Sequence, residues 1–257
     1  MSTIARPEGL LVAVVVMAFA AWALRWLTLD GAIAAALVGG AVALFGGIRW
    51  AAVLLAFFAT GTLLTFLGRH RKTHPEHRGR GRTAWQVAGT GGVAAVVSVI
   101  WGAGVGPGFV REVLPAAFLG AIAAAAADTW SAEIGMLSPR RPRMITTWAP
   151  VPSGTSGGVT VAGSLAGVAG AVLIAAIGTS DARVFTAAWI AGVVAMFGDS
   201  VIGATIQATF RRPNGSIVED PAGAVPLRGI PWMTNPVVNL FATAAGALLA
   251  AGLVRLL

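Results

Sequence analysis

Residues 112–137 read EVLPAAFLGAIAAAAADTWSAEIGML, an alanine-rich run that opens on Glu112 and has two carboxylates, Asp128 and Glu133, set inside it. At ~1.5 Å per residue such a run crosses the ~30 Å hydrocarbon layer of a bilayer as a helix. Moved without gaps by 71 residues, from 128 to 199, it falls within RVFTAAWIAGVVAMFGDSVIGATIQATF, residues 183–210. Asp128 then lies on Asp199, Thr129 on Ser200, and Ala116-Ala117-Phe118 on Ala187-Ala188-Trp189, while Arg-Arg-Pro at 140–142 meets Arg-Arg-Pro at 211–213. The register predicts a parallel two-helix repeat that brings equivalent polar groups to one interface.

Working outward, further apolar runs predict spans at 9–27, 31–48, 50–68, 84–102, 159–178 and 235–256, giving an all-α polytopic membrane protein with about eight transmembrane helices. The run at 9–27 is too long for a signal-peptide core, and a second follows at once. Composition agrees: 56% hydrophobic against 11% charged among 257 residues, with mean hydropathy +0.80, does not describe a soluble domain. The chain divides into a three-span part, 1–83, and a five-span part, 84–257, within one transmembrane domain.

Three polar connections, 69–83, 138–158 and 211–233, carry Arg69, Arg71, Lys72, Arg78, Arg80 and Arg82, then Arg140, Arg141 and Arg143, then Arg211, Arg212 and Arg228. These are twelve of the 18 basic residues, and two spans separate each connection from the next, so all three emerge on one face. The positive-inside rule makes that face cytoplasmic and both termini external. The net charge of +8 is therefore topological, with no nucleic-acid partner implied. Arginine is used almost to the exclusion of lysine, pointing to a prokaryote and its plasma membrane. The absence of Cys excludes disulfides, thiolate metal sites and cysteine nucleophiles. His70, His74 and His77 share one hydrophilic loop, which reads as solvated.

Asp128, Glu133 and Asp199 are the acids well inside spans, where an ionised carboxylate costs at least ~2.5 kcal/mol and marks function. Counted back from the predicted helix ends, the two aspartates lie ~13–16 Å deep and Glu133 nearer the surface. Asp128 and Glu133 are five residues apart, roughly 140° around a helix, so both reach one ligand only between helices or through an unwound turn. Three acids without an internal base suit a cation. Gly154-Thr155-Ser156-Gly157-Gly158, ahead of a helix, suits either a phosphate cradle or a plain glycine-rich helix entry. Arg143 beside it carries the planar fork that binds phosphate. Carboxylates, glycines and arginine together fit Mg²⁺-polyphosphate chemistry.

At these residues the sequence resembles the integral membrane proteins that include transmembrane protein 19 and the phytyl-phosphate kinases of vitamin E salvage. The motifs are DTWSAEIG (128–135), PRMITTWAPVPSGTSGGVT (142–160), GDSVIGATIQ (198–207) and NPVVNLF (235–241), supported by GRTAWQV (81–87). Ser156 stands where relatives often carry Asp, Asn or Glu. The resemblance implies a kinase that converts an isoprenoid lipid monophosphate to the diphosphate with a nucleoside triphosphate, CTP being expected. It implies that Asp128, Glu133 and Asp199 hold Mg²⁺, that Gly154, Thr155, Gly157 and Gly158 cradle phosphate, and that Arg143 neutralises it. Gln207, Asn235 and Asn239 would fix a phosphate or the base, with Lys72, Arg82 and Gln86 as further substrate-binding residues; homo-oligomerisation is left open. A cation-coupled transporter or lipid flippase uses buried acids and repeated helices equally well.

Overall fold

The computed structural model describes residues 7–68, 81–219 and 222–257. Lys72 and the three histidines lie outside the described residues. Eight α-helices are present among them: α1 (Pro7–Ala23), α2 (Leu29–Ala41), α3 (Gly47–Phe66), α4 (Ala84–Gly102), α5 (Gly108–Gly135), α6 (Val161–Gly178), α7 (Ala182–Thr205) and α8 (Asn235–Leu256). Length and hydropathy suffice for crossing in six stretches, with 29–66 counted as one of 38 residues, and α1 is a shorter apolar helix of 17. The long stretch is folded in two. A π-helical turn, Val42–Gly46, leads to Gly47, whose φ of +75° requires glycine, and the chain reverses there. Gly31 at the start of α2 and Gly61 near the end of α3 both approach Arg82, whereas Phe45 at the turn meets Gly102 at the far end of α4. This yields the eight-helix, all-α membrane architecture expected.

Helix α5 is the centre. Leu114 and every residue from Ala116 to Ala127 are buried, so the helix is enclosed by protein where its neighbours face lipid. The alanines and glycines allow this. A Cβ on Gly120 would lie 2.3 Å from the carbonyl oxygen of Gly246, and one on Gly192 would lie 2.8 Å from Ala123, so α8 and α7 pack on α5 backbone to backbone. The repeat pair α5 and α7 is thus in direct, parallel contact. Phe118 stacks on Trp50 at 4.2 Å, joining α3 to the same core.

The polar connections at the site end are more ordered than the hydropathy pattern predicts. Arg143–Met144 (β1) pairs antiparallel with Gly158–Val159 (β2). A second, three-stranded sheet runs β4-β3-β5 from Ile217–Val218, Thr209–Arg211 and Val225–Arg228. Strand β3 claims residues assigned from sequence to the seventh span, which ends at Thr205 and not at 210. Consequently Asp199 lies six residues, and Asp128 seven, from their helix ends, or ~9–11 Å rather than ~13–16 Å.

Candidate functional site

Asp128 and Asp199 line one cavity of about 180 Å³, with Asp128 on α5 and Asp199 on α7 at matching positions of the repeat. Asp199 is 8% exposed, and its Oδ2 is buried with no hydrogen-bond partner among the described residues. An unsatisfied buried carboxylate oxygen is costly and normally absent from a finished core, so this atom faces a position that a donor or cation would fill. The opposite wall is the Gly154–Gly158 loop, Gln207 and Glu219. Buried Gln207 donates to Ser156 Oγ at 3.3 Å, and the Ser156 hydroxyl donates in a very short bond to Glu219.

The loop differs from a helix entry. Gly158 and Val159 belong to β2, Thr160 is the N-cap of α6, and the glycines therefore sit one strand before the helix. Gly154 and Gly157 both have φ of +81°. A Cβ on Gly157 would lie 2.5 Å from the Cβ of Ala204, so this residue seats the loop against the end of α7, close to Asp199. Thr155 and Gly158 donate backwards to Pro152 and Thr155, which curls the loop around the cavity.

A second, larger cavity of about 430 Å³ adjoins the first; Asp128, Ala132, Met136 and Asn235 line both. It holds Arg82, Gln86, Glu133 and Asn239. Arg82 is pinned at its backbone: its N–H donates to Trp26 at 2.9 Å, and its carbonyl accepts from the Thr28 N–H and hydroxyl at 3.2 and 3.1 Å. Its guanidinium rests where Gly61 leaves room, and burial lowers its proton affinity while Glu133 raises it. Glu133 is itself buried and accepts from Thr65 at 2.6 Å. Gln86 closes a capping box, its Oε1 accepting from the Thr83 N–H at 2.9 Å. Asn239 has a buried Oδ1 without a partner among the described residues.

Three expectations change. Glu133 does not join the aspartate pair: five residues along the helix turn it toward Thr65 and Arg82, two residues from the end of α5. Among the described residues no three acids or histidines are grouped closely enough to hold a metal, although Glu219 lines the cavity with the two aspartates. Arg143 lines neither cavity; its exposed side chain donates to the Trp148 carbonyl at 2.8 Å and stiffens the β1–β2 turn. The arginines that line the larger cavity are Arg82, delivered by the connection before α4, and exposed Arg25, between α1 and α2. Glu219 had no sequence signal beyond its acidity, since it lies in a loop until β3 and β4 pair and fold it back over Ser156.

Residues 12–247 match the integral membrane protein family DUF92. The chain belongs to that family. It is 33% identical over 252 residues to Protein PGR of Arabidopsis thaliana, covering 87% of each chain. It is 28% identical over 228 residues to an uncharacterized membrane protein of Methanocaldococcus jannaschii, covering 88% of this chain and 84% of the other. Protein VTE6, chloroplastic, also of Arabidopsis thaliana, is 25% identical over 222 residues, which are 80% of this chain and 61% of that one. No solved structure matches.

Proposed function

We propose that this DUF92 chain is a kinase of isoprenoid lipid monophosphates, using a nucleoside triphosphate, CTP in the first instance, at the cytoplasmic face of a prokaryotic plasma membrane. One observation carries the reading: the repeated aspartates share a cavity with a positive-φ glycine loop, and one of their buried oxygens lacks a partner among the described residues. Mg²⁺ suits such a pair, because it is commonly held by one or two carboxylates with the remaining positions left to substrate phosphates and water. When bound, the ion supplies charge neutralisation on the transferring group.

The chain's own residues do the rest. The Gly154–Gly158 loop receives the nucleotide's phosphates, with Ser156 and Gln207 as polar contacts and Glu219 orienting Ser156. Arg82, Gln86, Asn235 and Asn239 receive the lipid phosphate. An oxygen of that phosphate attacks the terminal phosphorus of the nucleotide; the bond from this phosphorus to the bridging oxygen breaks, and the nucleoside diphosphate departs with those electrons. No covalent enzyme intermediate or side-chain base is needed, since catalysis here is alignment and electrostatic stabilisation. The test is consumption of CTP or ATP by purified protein, with Mg²⁺ and an isoprenoid phosphate, measured as nucleoside diphosphate and lipid diphosphate in equal amounts. Ion or lipid flux across vesicles without nucleotide hydrolysis would overturn it in favour of transport.

A further inference from the structure

A third cavity, about 370 Å³, runs between α1, α2, α3 and α4 and is almost wholly apolar, with Val14, Val38, Leu55, Phe58 and Val87 on its walls. It shares Arg82 and Thr90 with the larger polar cavity and no residue with the glycine-loop cavity. Along α3 it reaches from Phe58 to Ile48, ten residues or ~15 Å. It is therefore a single elongated groove with Arg82 at its site end. We infer that the groove holds the hydrocarbon chain of a single-chain phosphorylated lipid whose headgroup lies at Arg82, an inference that rests on the kinase reading above and assigns its two chambers.

The chemistry selects this occupant over bulk bilayer lipid. An apolar tunnel alone accepts any acyl chain, but one that ends on an arginine favours an amphiphile with an anionic end, and a planar fork grips a phosphate through two oxygens. Arg82 is held at its backbone by the bridge to Trp26 and Thr28, and its guanidinium lies against Gly61 in the chamber that Glu133 also lines. The lipid phosphate is thereby set on the Arg82 side of Asp128, and the nucleotide's phosphates on the glycine-loop side. The two substrates enter by separate routes and meet at Asp128 and Asn235, the polar residues lining both chambers.

The experiment is equilibrium binding to detergent-solubilised protein of geranylgeranyl phosphate, dimethylallyl phosphate, phosphatidic acid and Mg²⁺-CTP. Ala52, which lines the groove away from both polar chambers, is changed to Phe. Because each methylene denied burial weakens binding severalfold, A52F should lose about tenfold or more for geranylgeranyl phosphate while leaving dimethylallyl phosphate and CTP unchanged. Arg82→Gln should weaken both isoprenoid phosphates and spare CTP. Equal affinity of the parent for the long and short phosphates, equal weakening of both by A52F, phosphatidic acid binding as tightly as geranylgeranyl phosphate, or R82Q weakening CTP instead would each overturn the assignment. If the chain-length and A52F effects appear but no nucleotide is consumed, the groove stands and the kinase reading falls.

Discussion

Asp199 is the residue at which burial and chemistry conflict most, because one of its carboxylate oxygens is buried beside the glycine-loop cavity with no hydrogen-bond partner among the described residues. Asparagine would keep the shape and remove the charge that a divalent ion requires. Asp199→Asn and Asp128→Asn should therefore each abolish Mg²⁺-dependent turnover in protein that remains folded by gel filtration. More than about a tenth of parental activity, a barrier change below ~1.4 kcal/mol, would refute a direct role. The arginines give a second prediction. Arg143→Lys, which loses only a bond to Trp148, should leave nucleotide and lipid-phosphate affinity within about twofold, whereas Arg82→Lys loses the planar fork and should cost lipid-phosphate binding about tenfold or more, roughly 1.5–3 kcal/mol. Isothermal titration separates them. The aspartates were legible in the sequence because a charge inside a span needs a reason. Arg82 over Arg143 was not, because both stand in basic connections and only tertiary structure decides which one turns inward.

Among the elements, hydropathy located all eight helices, since a bilayer requires long apolar runs and leaves little choice of structure within them. It failed where that requirement ends. The strands at 143–144, 158–159, 209–211, 217–218 and 225–228 are two to four residues long, too short to show an alternating pattern, and they form because the connections must satisfy their own backbone groups against the helix ends. That failure concealed Glu219 and misplaced the glycine loop at a helix entry. Gly157 tests the corrected position. In Gly157→Val the branched Cβ meets Ala204 at 2.5 Å and the φ of +81° is strained, so the loop should lift from α7. Mg²⁺-nucleotide binding should fall by about tenfold or more, ~1.4 kcal/mol, with geranylgeranyl phosphate binding retained in the other chamber. Loss of both together would mean that the substitution unfolded the site, and loss of neither would remove the loop from phosphate recognition.

At the scale of the whole molecule, the parallel repeat and the charge distribution are two views of one constraint. Helices α5 and α7 run in the same direction because two spans separate their starting points, and the same spacing puts the Arg-Arg-Pro segments after both helices on one side. The structure gathers the start of α2, the end of α3, the start of α4 and the start of α8 at this end too, around Arg82 and Asn235, so the site and the basic connections are inseparable. Whichever face carries the arginines carries the chemistry. The parent has no Cys, so single cysteines report cleanly. Ser153→Cys in the glycine-loop connection and Asn214→Cys between β3 and β4 should be shielded from an impermeant thiol reagent in intact cells and labelled after the membrane is opened. Ser180→Cys, exposed between α6 and α7 at the opposite end, should be labelled in intact cells. Reversal of this pattern would invert the topology and place the nucleotide-facing cavity outside the cell, where no CTP supply exists. The kinase reading would fail with it, whatever the binding measurements gave.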